Sequence, residues 1–94
     1  MATYEVWYRK VYDGRAPEAA FIDVDYDWAG DVQASSVKDV SLCIALMKAE
    51  DSQLEGHRNI RTGDVVKDPA GHYWAFTPSG VWARVIVVEG GVSV

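Results

Sequence analysis

Three aspartates at alternate positions, Asp23, Asp25 and Asp27, come nearest to a chemical site by type and spacing. Carboxylates at this interval open a calcium loop when a glycine follows at the sixth position and a glutamate at the twelfth. Trp28 and Ala34 stand at those places here, so the sharp turn and the bidentate ligand are both missing. On an extended strand alternate carboxylates lie about 6.5–7 Å apart, too far to share one cation without other ligands. The expectation is therefore a solvated acidic face and no metal site. The same interval resembles successive phosphates of a nucleic-acid strand, which makes an acidic DNA-mimic inhibitor of a DNA-binding protein the alternative.

The remaining reactive side chains do not assemble into a site. His57 and His72 have no ligand spacing, and Cys43 falls on the apolar stripe of a helical segment rather than beside an activating base. Ser79 sits between Pro78 and Gly80, a turn rather than a nucleophile elbow. Gly90-Gly91 is followed by neither a helix nor a lysine, so no phosphate loop is formed. No catalytic residue, cofactor or metal is expected, and the chain reads as a non-enzyme.

Charge and aromatic content point instead to contact with other molecules. The net charge is −5, with eleven acids against five bases over residues 1–55 and three against four over 56–94. Nucleic acid is thereby disfavoured as a partner, since phosphate binding needs clustered Lys and Arg. A nucleic-acid-binding module would rely on Arg58, Arg61 and Lys67 with Trp74. Four Trp, five Tyr and two Phe are many for one small core. Trp7, Tyr8, Tyr12 and Trp82 are expected at the surface, and together with Asp23, Asp25 and Asp27 they form the candidate interaction surface. A host protein or a second copy of the chain is the expected partner, because aromatic-rich edge strands pair readily into homodimers.

Hydrophobic periodicity supplies the elements that must carry these residues. Residues 4–12 read as an aromatic- and Val-rich strand, and Asp13-Gly14-Arg15-Ala16-Pro17 as its hairpin loop. Over 19–28, Ala20, Ile22, Val24, Tyr26 and Trp28 alternate with the aspartates, predicting one half-buried antiparallel strand. Ala29-Gly30-Asp31 is expected to end it. A helix follows from about Val37 to about Ser52, with Ser36 as N-cap and Gly56 ending the connection. Its stripe is Val37, Val40, Cys43, Ile44 and Met47, widened by Leu42 and Leu46. Strands over 63–67, 72–76 and 81–88 are separated by turns at Asp68-Pro69-Ala70-Gly71 and Pro78-Ser79-Gly80.

The 94 residues support one α+β domain, an antiparallel sheet of about five strands with one helix packed on it, in the order β-β-α-β-β-β. A small SH3-like barrel in the C-terminal half is the alternative, and residues 90–94 are expected to be a flexible tail. One cysteine implies a reducing compartment, and neither an apolar run of about 18–20 residues nor a signal-peptide h-region is found. A cytoplasmic protein without a membrane segment is the expectation.

Arg58, Gly63-Asp64-Val65-Val66, Gly71, Tyr73-Trp74 and Gly80-Val81-Trp82 form a pattern of their own. It resembles small uncharacterised proteins of actinobacterial phages and mobile elements, and more distantly YodL-like domains. The match is limited to about residues 58–82, and Asn59 and Arg61 stand where that family has small hydroxylated residues. The resemblance implies an accessory protein that acts by binding host machinery, and it carries no activity over.

Overall fold

In the computed structural model, residues 2–47 and 59–88 are described. Strand β1 (Ala2–Arg9) sits inside a five-stranded antiparallel sheet of order β3-β1-β4-β5-β6. The others are β3 (Tyr26–Ala34), β4 (Val65–Lys67), β5 (Tyr73–Phe76) and β6 (Trp82–Arg84). Two short strands, β2 (Ala19–Phe21) and β7 (Ile86–Val88), form a separate parallel pair. A single helical turn, α1 (Ile22–Asp25), joins β2 to β3. A 3-10 turn over Val37–Asp39 leads into α2 (Val40–Met47).

This is the expected α+β domain built on a five-stranded antiparallel sheet, with β3 and β6 as edges rather than a closed barrel. Two expected strands are each split. The run over 19–28 breaks at Ile22, because four residues of helix turn the chain from β2 to the edge of the main sheet. That turn buries Ile22 and ends where the Lys10 N–H donates to the Asp25 carbonyl at 2.8 Å. The run over 81–88 breaks at Val85, which turns inward while its N–H bonds the Tyr73 carbonyl at 3.1 Å. The 13–17 loop is consequently not a hairpin loop: β1 pairs with β3 and β4, and β2 pairs with β7. The expected helix end at Ser52 and Gly56, and the tail at 90–94, lie outside the described residues.

The sheet carries apolar side chains on both faces. Tyr4, Val6 and Tyr8 of β1 and Val66 of β4 point to one side, where Val40 and Ile44 of α2 meet them. Val65, Ala75 and Tyr26 point to the other, where Ala20 and Ile22 cover them beside Val85 and half-buried Trp7 and Val87. The adjacent pair Val65-Val66 belongs to both cores because successive strand residues face opposite ways. The expected stripe of α2 is narrower than its sequence suggests, for Leu42 faces solvent.

Strand β3 stays in register with β1 only by means of a bulge. Val6 lies opposite Gly30 and Trp7 opposite Trp28, leaving Ala29 as the extra residue. Gly30 takes φ +126°, open to glycine and strained for other residues. Across the bulge the inward parity changes, so Val32 and Ala34 join the α2-side core while Tyr26 joins the other. Among the described residues no helix is long and apolar enough to cross a membrane.

Candidate interaction surface

Where β1 ends, a network of backbone groups and one buried carboxylate fixes the loops that carry the exposed residues. Asp64 is fully buried; its Oδ1 accepts the Arg9 N–H at 2.8 Å and its Oδ2 the Arg61 N–H at 2.9 Å. The carboxylate thus ties β1 to the loop before β4. Beside it the Tyr26 hydroxyl donates to the Gly63 carbonyl at 2.6 Å, and burial pushes that phenol up to about 12. Gly63 has φ +96°, and a Cβ there would fall 2.8 Å from Arg9 Nη1.

The Arg9 guanidinium then organises the following loop. It donates to the Asp13 carboxylate at 3.0 Å and to the Arg15 carbonyl at 2.8 Å. The Arg15 N–H reaches Asp13 Oδ1 at 2.9 Å, and this bond is the main reason the Asp13 carboxyl lies below its ordinary range. A shallow cleft of about 150 Å³ runs here between Arg9, Lys10, Val11, Asp13 and Asp25, placing the loop beside α1.

Against this frame the expected surface residues separate. Tyr12 is 54% exposed, with the Arg61 guanidinium 5.3 Å above its ring. Asp23, Asp25 and Asp27 are all exposed, but α1 carries the first two and β3 the third, so they do not form the regular ladder expected of one strand. Tyr8 is a correction: at 8% exposure it belongs to the core, because odd and even residues of β1 face separate cores and both sides are covered. Trp7 and Trp82 are half-buried for the same reason, each packed against one of the cores. Their indole Nε1 atoms are buried without a partner among the described residues. Trp82 meets Phe76 edge-on at 5.0 Å between ring centroids.

Trp28, expected inside, is 52% exposed. Six residues C-terminal to Ile22 on the alternating pattern it would share Tyr26's burial, but it lies next to the bulge on the sheet's edge strand. Val24, also expected inside, is 53% exposed because α1 turns it away from Ile22. Val11 and Phe21 are exposed as well. Phe21 keeps the outward parity of the aspartates, whereas the exposure of Val24 and Trp28 departs from a periodicity that assumes an unbroken strand.

The basic residues do not converge. Lys67 lies over Tyr73 at 5.7 Å and Arg84 over Trp74 at 5.4 Å, and Trp74 and Tyr73 belong to opposite faces of the sheet. Arg61 is with Tyr12, and Arg58 lies outside the described residues. His72 is exposed at the turn, where its N–H and the Trp74 indole both donate to Asp68, at 2.8 and 3.0 Å. Burial raises the Asp68 carboxyl, yet these bonds outweigh it and leave the group below its ordinary range. Cys43 is half-buried against the α2-side core, and His57 lies outside the described residues. Among the described residues no three His, Cys, Asp or Glu side chains gather as a metal site.

The described surface thus combines an acidic rim on α1 and β3, exposed apolar side chains on the same segment, and the loop after β1 braced by Arg9 and Asp13. No family model, curated protein or solved structure matches the chain.

Proposed function

We propose that this is a small non-enzymatic accessory protein, phage or mobile-element encoded and cytoplasmic, that acts as a protein–protein interaction module on a host protein. The observation that carries the reading is the exposure of Trp28, Val24 and Phe21 on the segment that also carries Asp23, Asp25 and Asp27, with Tyr12 exposed on the loop after β1. Large apolar side chains standing among charges are the usual make-up of an interface centre and its rim. The resemblance over residues 58–82 supports the origin.

Affinity capture from a host lysate tests the module, using wild type beside Trp28→Ala and Tyr12→Ala. One protein retained by wild type and lost with either folded variant is the expected result. Equal retention by all three chains would overturn the reading. The DNA-mimic alternative draws on the same exposed aspartates. It requires that Asp23→Asn, Asp25→Asn and Asp27→Asn together abolish inhibition of a DNA-binding protein while Trp28→Ala leaves it intact.

A further inference from the structure

Strand β3 is nine residues long and pairs with β1 along one side only; among the described residues its other side has no strand. The opposite edge of the sheet, β6, has three residues. An open edge of this length presents a row of backbone donors and acceptors to which another strand can add. Charges and a bulge also guard edges against aggregation, so the edge alone does not name an occupant. The charges do.

Across the β1–β3 pair Glu5 lies directly opposite Asp31, two acids facing each other on one side of the sheet. Like charges in that position destabilise a sheet and are relieved by a cation on the next strand. Lys67 fills that place on the β4 side of Glu5; on the open side of Asp31 the place is empty among the described residues. Trp28 shares this face, opposite Trp7, and offers an exposed indole to an apolar side chain. Asp27 lies opposite Tyr8 and so projects from the other face, with Lys10 3.9 Å away. A second copy fits badly, because edge-to-edge pairing of two β3 strands sets these same aspartates against each other in a chain of net charge −5.

Resting on the interaction reading above, we propose that the open edge of β3 takes up a basic, extended segment of a partner protein as an added strand. The bulge dictates its pattern. Since Asp27 and Asp31 face opposite sides although four residues apart, the basic residues that meet them must be separated by an odd number of positions. The residues of β1 that face these two aspartates, Tyr8 and Glu5, are three apart. The captured segment therefore carries Lys or Arg three apart, with an apolar residue next to the one that meets Asp27.

The test uses synthetic peptides of about ten residues and one composition, with two lysines set either three or four apart, against the full chain labelled for amide NMR. Binding is expected to perturb amides of Tyr26–Ala34 and to be about tenfold tighter at the three-residue spacing. N-methylation of alternate peptide nitrogens should abolish it, and Asp27→Asn with Asp31→Asn should weaken it about tenfold. Affinity indifferent to spacing and to N-methylation would mean loose charge attraction and would overturn the proposal. So would shifts confined to β6 or to the β2–β7 pair, or no binding by any peptide. In those cases a lysate partner still lost on Trp28→Ala leaves the interaction module standing, with a different docking mode.

Discussion

Replacing Tyr26 with Phe should produce a defect whose sign depends on pH. The Tyr26 hydroxyl is buried and donates to the Gly63 carbonyl at 2.6 Å, so at pH 8 its removal costs one hydrogen bond and strands a buried acceptor. That is worth about 1–2 kcal/mol. The phenol's folded-state value lies at about 12 against the ordinary 10.0, with burial as the main cause. Because the folded protein holds the proton more tightly than the unfolded chain, the stabilisation is complete below pH 10. It is lost as pH rises from 10 through 12, since the unfolded state ionises first. A two-unit difference corresponds to about 2–3 kcal/mol. The wild-type advantage should shrink above pH 10 and reverse by the top of the range. Urea unfolding followed by tryptophan fluorescence at pH 8, 10, 11 and 12, for wild type and Tyr26→Phe side by side, measures the difference. Burial also raises Tyr4, but that residue is common to both chains and cancels. A gap between the two chains that stays constant from pH 8 to 12 would refute the reasoning.

Asp64→Ala removes the acceptor of two backbone N–H groups and should destabilise by about 2–4 kcal/mol, read as a lower urea midpoint. Gly63→Ala places a methyl 2.8 Å from Arg9 Nη1 at φ +96°, and a loss of about 1–3 kcal/mol is expected in the same assay. Ile44→Ala, in the core under α2, should cost about 2–5 kcal/mol, whereas Leu42→Ala on the exposed side should change stability by less than about 0.5 kcal/mol. Asp31→Asn relieves the like-charge pair with Glu5 and should stabilise by a few tenths of a kcal/mol, roughly, fading in high salt. It should do so while weakening capture of a basic strand, a trade of function for stability.

Much of the sheet was legible because its strands keep a local signature. Turn residues at Asp68–Gly71 and Pro78–Gly80 locate β4 and β5 within two residues of their observed ends and the start of β6 within one, but not the break at Val85 that ends it. Ser36 lies at the start of the 3-10 turn that leads into α2, although its hydroxyl faces Asp39 Oδ2 at 3.5 Å and makes no cap bond to a backbone N–H. Alternation failed between Ala19 and Ala34, where a helical turn and a bulge each displace the period-two pattern. Ile22 and Val24 look alike in sequence, and only the packing of Ile22 against the far-side core separates them. Trp28 likewise departs from the alternation, beside the bulge. Gly63 and Asp64, expected within the strand over 63–67, instead form the turn before β4, where Asp64 accepts the Arg61 N–H. The bond from Arg9, 55 residues away, is a tertiary fact with no local trace. The candidate site is half legible: Tyr12 and the three aspartates are exposed as composition and charge suggest, though not as one ladder, while Trp7, Tyr8 and Trp82 turn inward because the sheet is covered on both faces.

Hydrogen–deuterium exchange of the protein alone and bound to its captured partner tests the central claim most directly. Slowed exchange confined to β3, strongest across Asp27–Asp31 and accompanied by burial of Trp28, is the expected footprint. Protection mapped to β6, or to the α2 face, with β3 amides unchanged, would contradict it.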